Sequence, residues 1–287
     1  MGLLSFEQLW PIGTLDTRVP TAIMGLMVTS RQEALLASII KEYVGTAEPV
    51  SSKFLEKIGF FDLSSATIRA EMNELEGLGY LAQLHTSGGR VPTDRAYRFF
   101  VDNLMDEAGL EPAADCKRKI KRALYEIGND PREINKTVAQ LLSELSDNLV
   151  ITGVPERADF FKVGLSSLFE FPEFREFEKA LRLTNFFDEF EYMFDRLEGE
   201  LWGESASLTG GSAPFAKNSA EDIRIFIGRE NPVRNIRDET VMLAKYNLPH
   251  NFRGSITLVG PTRMDYGKNI GLIRYTTEEL NKLAKRI

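Results

Sequence analysis

Arg69 and Asn73 stand four residues apart in the stretch SSATIRAEMNELEGLGYLAQLHTSGGRVPTDRAYRFFVD, residues 64–102. A guanidinium presents a fork of donors, and a carboxamide presents one acceptor and one donor group. These are the side chains that pair bidentately with guanine and adenine edges in the major groove of DNA. Four residues is about one helical turn, so in a helix both would leave one face. With Ile68 at the origin of a helical wheel, Met72, Leu75 and Leu78 fall in one sector, which must face a core. The opposite sector holds Ala66, Arg69, Ala70, Asn73 and Gly77, and its small residues let a helix approach another surface closely. Ser64, Ser65 and Thr67 at the start of this helix, with its free N–H groups, suit a phosphate. Ser51 and Ser52, opening the helix before it, join them as candidate contacts.

The second half of the stretch predicts a hairpin with His85, Thr86, Ser87, Gly88, Gly89 and Arg90 around its tip. The glycines permit close backbone approach, and Arg90 would be a lone cation at that tip. Such a hairpin beside a reading helix is a wing, which lies along the phosphate backbone or enters the minor groove. Arg95 follows on the next helix with Arg98, extending a positive strip. All fourteen candidate contacts thus lie between Ser51 and Arg95. Winged helices also serve as protein-interaction modules, and an Arg/Asn face is also compatible with simple solvation, but the pattern favours DNA binding.

These groups need three helices to hold them. The first opens with Ser30-Arg-Gln-Glu33 as a capping box, carries Leu35, Leu36, Ile39, Ile40 and Tyr43 at helical spacing, and stops at Gly45. A short helix fits Ser51 to Ile58, with Gly59 as breaker. The reading helix spans Ser65 to Leu78, capped by Ser64 or Ser65 and ended by Gly79. Tyr80–Leu84 and Arg90–Val91 are the wing strands, and a fourth helix starts at Pro92-Thr93-Asp94. Residues 1–28 lack any steady period and form an extension, in which Met24 or Met27 is a candidate start.

Beyond Gly109 the pattern changes. Helices are expected over Glu111–Ile127 and from Asp130-Pro131. Two Phe-dense amphipathic helices follow over Phe171–Leu197, with most of Phe171, Phe174, Phe177, Phe186, Phe187, Phe190 and Phe194 expected on a core face and the rest open to use as a dimer or chaperonin surface. Gly203–Asn218 reads as a loop. Strands are expected at Ile223–Ile227, Val241–Tyr246 and Ser255–Val259, and a last helix at Thr277–Arg286. The fold class is therefore α+β, with domains at 29–108 and 109–287.

Composition limits the rest. The 287 residues carry a net charge of −7, and residues 29–108 hold eight Lys/Arg against twelve Asp/Glu. Non-specific attraction to phosphate is then weak, and DNA binding would need cations concentrated on one face. His85 and His250 lie far apart and Cys116 is the single cysteine, so no metal-ligand cluster and no internal disulfide is expected. Cys116 lacks a paired histidine and reads as a passive helix residue. There is no P-loop and no dinucleotide fingerprint. The Thr209-Gly-Gly-Ser loop lacks the following Gly-Lys-Thr. The chain is read as a non-enzyme with no cofactor, no membrane span and a cytoplasmic location. Arg263, in GPTRMDY (Gly260–Tyr266), is expected to salt-bridge within its domain.

The 64–102 stretch resembles the winged-helix segment of the heat-inducible transcription repressor HrcA family, and so does EPVSSKFLEKIGFFDLSSATIR upstream. FRGSITLVGPTRMDYGKNIGLI resembles the family's second signature, and SSLFEFPEF and IRIFIGREN also fit. The resemblance implies a winged helix-turn-helix followed by a GAF-like domain. It also implies a dimeric repressor of chaperone operons that binds an inverted-repeat (CIRCE-type) operator, with the GroEL chaperonin as a modulating partner. Three departures stand out. Residues 1–26 look additional. Ala70 replaces a common Asn while Asn73 replaces a small residue, moving the polar contact along the helix. About fifteen residues separate LLSELSDNLVI from VGLSSLFEFPEF, where the family carries a longer segment with sheet strands and a dimerisation insert. The GAF-like domain is thus expected to be reduced in the middle. A non-DNA-binding interaction module or degenerate repressor is the rival reading.

Overall fold

The computed structural model describes residues 28–59, 63–84, 88–105, 110–154, 157, 159–202, 223–231 and 234–285. The extension at 1–27, the tip residues His85, Thr86 and Ser87, and the 203–218 loop with its Thr209-Gly-Gly-Ser lie outside the described residues. The chain divides into two compact units, Met1–Ala96 and Tyr97–Ile287.

In the first unit, α1 (Ser30–Thr46) is capped by Thr29 rather than Ser30. The Thr29 side chain accepts the Gln32 N–H, and Gln32 Oε1 accepts the Thr29 N–H at 3.0 Å. Glutamine closes the capping box as glutamate would, one residue earlier than expected. The helix also runs past Gly45 and closes at Ala47, which takes the left-handed conformation at φ 57°. Two further helices follow as expected, α2 (Ser52–Lys57) behind its cap Ser51 and α3 (Ser65–Gly77) behind its cap Ser64. Ile68, Met72 and Leu75 of α3 are buried, as are Leu35, Leu36, Ile39 and Ile40 of α1 and Leu55 of α2.

The first wing strand is shorter than expected and the second is shifted by one residue. β1 (Leu81–Ala82) pairs antiparallel with β2 (Val91–Pro92), and an isolated bridge joins Val50 to Arg90, the residue before β2. Helix α4 (Asp94–Phe99) passes into a π-helical turn, Phe100–Leu104. The division between units falls inside α4, so Tyr97, with its ring 5.7 Å from that of Tyr266, belongs to the second unit.

The second unit contains α5 (Ala114–Glu126), α6 (Pro131–Ser146), β3 (Leu149–Val154), β4 (Asp159–Val163), α7 (Leu165–Leu168), α8 (Phe177–Trp202), β5 (Ile223–Ile227), β6 (Glu239–Asn247), β7 (Arg253–Pro261) and α9 (Tyr266–Ala284). The five strands form one antiparallel sheet in the order β4-β3-β7-β6-β5. Alternate residues Leu149, Ile151, Val241, Leu243 and Val259 share a cluster with Leu168, Leu183, Phe186 and Phe190. The opposite register faces α6 and α9: Thr152 donates to the Asn135 carbonyl, and the Thr240 and Tyr266 hydroxyls meet at 2.9 Å. Helices thus cover both faces of the sheet.

Several expectations are corrected here. The short middle segment is itself a hairpin, β3–β4, and contributes two strands to the sheet. The Phe-rich region is one long helix, α8, preceded by a 3-10 turn at Pro172–Arg175. Phe174, Phe186 and Phe190 are core, Phe171 and Phe187 pack partly against it, and Phe177 is exposed. Phe194 lies among the side chains outside the description. The last helix begins at Tyr266, capped by Asp265, not at Thr277. Gly271 lies inside it, and a Cβ there would stand 2.2 Å from the Leu110 carbonyl oxygen. Arg263 does pair with Glu173 and lies over the Phe171 ring.

Candidate nucleic-acid interface

The exposed face of α3 is the one the helical period predicts: Ala66, Arg69, Ala70, Asn73 and Gly77 are all exposed. Arg69 has no hydrogen-bond or ion-pair partner among the described residues. The acids of the same helix are held elsewhere. Glu71 is buried and pairs with Arg31, Glu74 accepts from Gln32 Nε2 at 2.7 Å, and Glu76 accepts from Arg90 Nε at 2.7 Å. A domain with more acids than bases therefore still presents an unneutralised guanidinium on this face.

The start of α3 is more occupied than expected. Ser64 Oγ accepts the Thr67 N–H at 3.3 Å and lies 3.0 Å from Thr67 Oγ1. The Ser65 N–H donates to Glu56 Oε1 at 2.9 Å. Two of the N–H groups expected to await a phosphate thus already have acceptors, because the cap and the preceding helix satisfy them. Ser51 spends its hydroxyl as the cap of α2, accepting the Phe54 N–H at 3.2 Å. Ser52 is buried, its Oγ 3.2 Å from Ser65 Oγ, so it joins α2 to α3 and does not face outward.

Arg90 is not a lone cation at a tip. Its backbone N–H and carbonyl exchange hydrogen bonds with Val50 at 2.8 and 3.0 Å, at the foot of the wing. Its guanidinium donates to Glu76 Oε2 and, through Nη2 at 2.9 Å, to Asn73 Oδ1. Two acceptors on α3 draw the side chain back against that helix, leaving it 13% exposed. Gly88 is exposed, while Gly89 packs on the chain at 49–50, where a Cβ would meet the Val50 carbonyl oxygen at 2.5 Å. The glycine at 89 thus serves an intramolecular approach. Arg95 is exposed, donates through Nη1 to the Leu78 carbonyl at 2.6 Å, and sits 4.6 Å over the Tyr80 ring. Arg98 does not extend this strip. It belongs to the second unit and pairs there with Glu230 and Asp102 and with the Ile225 carbonyl.

Sequence reasoning passed over Lys53 and Lys57, both exposed on α2 and without an ion pair among the described residues. Their spacing of four, on the helix preceding the reading helix, was the available signal, since that helix crosses the backbone in helix-turn-helix complexes. It also passed over Glu56, whose contact with Ser65 spans nine residues.

Residues 96–270 match the family model described as HrcA protein C terminal domain. The chain belongs to the HrcA family. A Heat-inducible transcription repressor HrcA from Oceanobacillus iheyensis is 27% identical over 340 positions, covering 91% of this chain and 98% of that protein. One from Clostridium tetani is 29% identical over 345 positions, covering 89% and 95%. A crystal structure described as a hypothetical protein aligns with a TM-score of 0.68 at 19% identity, covering 91% of this chain and 99% of that one, which shows a shared fold. The HrcA second domain is GAF-like, and the helix-flanked sheet here is its counterpart. Both relatives align over more positions than this chain's 287 residues, so they carry segments that it lacks. Family membership places the chain among transcription repressors, not enzymes. Among the described residues no helix is long and apolar enough to cross a membrane.

Proposed function

We propose that this HrcA-family chain is a DNA-binding repressor of heat-shock (chaperone) operons that engages an inverted-repeat operator as a homodimer. The observation that carries this reading is Arg69. It is exposed and without a partner among the described residues, on a helix face otherwise made of Ala66, Ala70, Asn73 and Gly77. Small neighbours let α3 enter a major groove deeply enough for a guanidinium to reach a guanine edge. In this reading Lys53, Lys57 and Arg95 contact phosphates, Ser51, Ser64, Ser65 and Thr67 line the approach, and His85, Thr86, Ser87 and Gly88 are further contacts beside α3. Action in the cytoplasm, with the GroEL chaperonin as modulator, follows from the family resemblance.

Glu56 favours a second reading. A carboxylate at the start of α3 opposes a phosphate there, as would suit a winged helix that has turned to protein partners. A gel shift of the full chain with a duplex carrying nine-base inverted arms separates the two. Specific retardation, weakened by about 1–3 kcal/mol in a folded Arg69→Ala variant, supports the DNA reading. No preference over random duplex in the wild type leaves the protein-interaction module.

A further inference from the structure

Asn73 would ordinarily read adenine, using its carbonyl oxygen to accept from N6 and its amide to donate to N7. In this chain the carbonyl end is already engaged, by Arg90 Nη2 at 2.9 Å. The assignment of oxygen and nitrogen within that amide follows from chemistry, since a guanidinium has donors only and the atom facing it must be the acceptor. Arg90 is itself held from three sides. Its backbone is paired with Val50, the residue before it fits only as glycine against the chain at 49–50, and its Nε donates to Glu76. The guanidinium therefore stands where the wing and Glu76 put it, and Asn73 Oδ1 is turned to meet it. The opposite end of the same planar amide, with two N–H donors, remains on the exposed face of α3.

We infer that Asn73 is a specificity-determining residue that reads an acceptor edge, guanine O6/N7 or thymine O4, and that Arg90 is the positioning residue that fixes its amide. This rests on the DNA-binding reading above. Adenine presents a donor beside its acceptor in the major groove and is the poorer match to a pair of N–H groups. The charge of Arg90, shared with Glu76, is directed at the protein and not at a phosphate.

The test uses the full-length chain and a randomised duplex pool, from which wild-type protein selects its preferred sequence. Affinities are then measured for every single base-pair change in that sequence. Asn73→Ala is expected to erase the preference at one guanine or thymine position, a loss of about tenfold or more in discrimination. Arg90→Ala should erase the preference at the same position and leave other positions ranked as before. The double variant should discriminate no worse than either single one. Asn73→Asp keeps an acceptor for Arg90, and hence the fold, but strips the donors; it too should lose that preference. An adenine at the Asn73-dependent position overturns the inference. So does an Arg90→Ala variant that weakens all duplexes equally and lowers the salt slope by about one unit, the behaviour of a phosphate contact. Failure of the wild type to select any sequence is a separate outcome, which removes the DNA-binding reading itself.

Discussion

Glu56 Oε1 accepts the Ser65 backbone N–H at 2.9 Å, so a carboxylate stands at the start of the helix that carries Arg69. The positive end of a helix favours that carboxylate in the free protein. A phosphate brought to the same place meets a like charge. Glu56→Gln retains an oxygen for the Ser65 N–H and removes the charge. Its affinity for duplex DNA should rise about two- to fivefold at low salt, with the gain shrinking as salt is added. Titrations at two salt concentrations check this, and equal affinities for the two proteins would place the start of α3 away from the phosphates.

Gly89 is a test of how the wing is seated. A Cβ at this position would lie 2.5 Å from the Val50 carbonyl oxygen and 2.7 Å from the Pro49 carbonyl carbon, and these are backbone atoms with little freedom to withdraw. Gly89→Ala should destabilise the first unit by about 1–3 kcal/mol through overpacking. Gly88→Ala, at an exposed position, is the control and should cost less. Denaturant melts of both variants measure the difference, and equal stability would mean the bridge between Val50 and Arg90 is not formed in solution.

The winged-helix framework was legible because its signals are local. Ile68, Met72 and Leu75 repeat at the helical period, Ser64 caps, and Gly79 takes a positive φ of 78°. What each polar group does was less legible, because its partners are distant in sequence. Nothing near Ser52 announces that Ser65 will bury it, and Arg90 reaches residues 14 and 17 positions away. The β3–β4 hairpin was missed for another reason. All six residues of β3 are buried, so the strand shows no alternation to read. The start of α9 was hidden by glycine and by Asn269, Thr276 and Thr277, polar residues that are buried within the helix.

Glu239 gives the second unit a pH dependence of unusual sign. It is buried on β6, and desolvation, aided by the neighbouring Asp238 charge, pushes its carboxyl up to about 7 against the opposing pull of Arg182 and Lys179. Its folded pKa is thus above the ordinary value of 4.5. Between these values the folded state holds a proton that the unfolded chain releases, so this contribution is full below the lower value and is lost as pH rises through about 7. The loss amounts to about 3 kcal/mol at alkaline pH. Glu239→Gln should flatten that part of the stability profile and melt higher than wild type at pH above about 8. Melts across this range decide it, and an unchanged slope in the variant would show that Glu239 is ionised in the folded protein.

Assembly is where this chain should differ most from its relatives. An inverted repeat needs two recognition helices related by a two-fold axis, and a single winged helix buries too little surface for a repressor's affinity. The aligned relatives carry segments this chain lacks, and here only four residues separate β3 from β4, which pair directly in the sheet. The homodimer proposed above is therefore expected to be weak, built from the second unit with α5 and α6 as candidate contributors. It should be stabilised by operator, since a ligand that binds only the dimer draws the equilibrium toward it. Sedimentation at graded concentrations should show a dissociating species that becomes dimeric when an inverted-repeat duplex is added. A half-site duplex should leave it largely monomeric, because one arm supplies no second contact to couple. A chain that stays monomeric on the full repeat, at concentrations where it is bound, would exclude the dimeric repressor and leave the protein-interaction module standing.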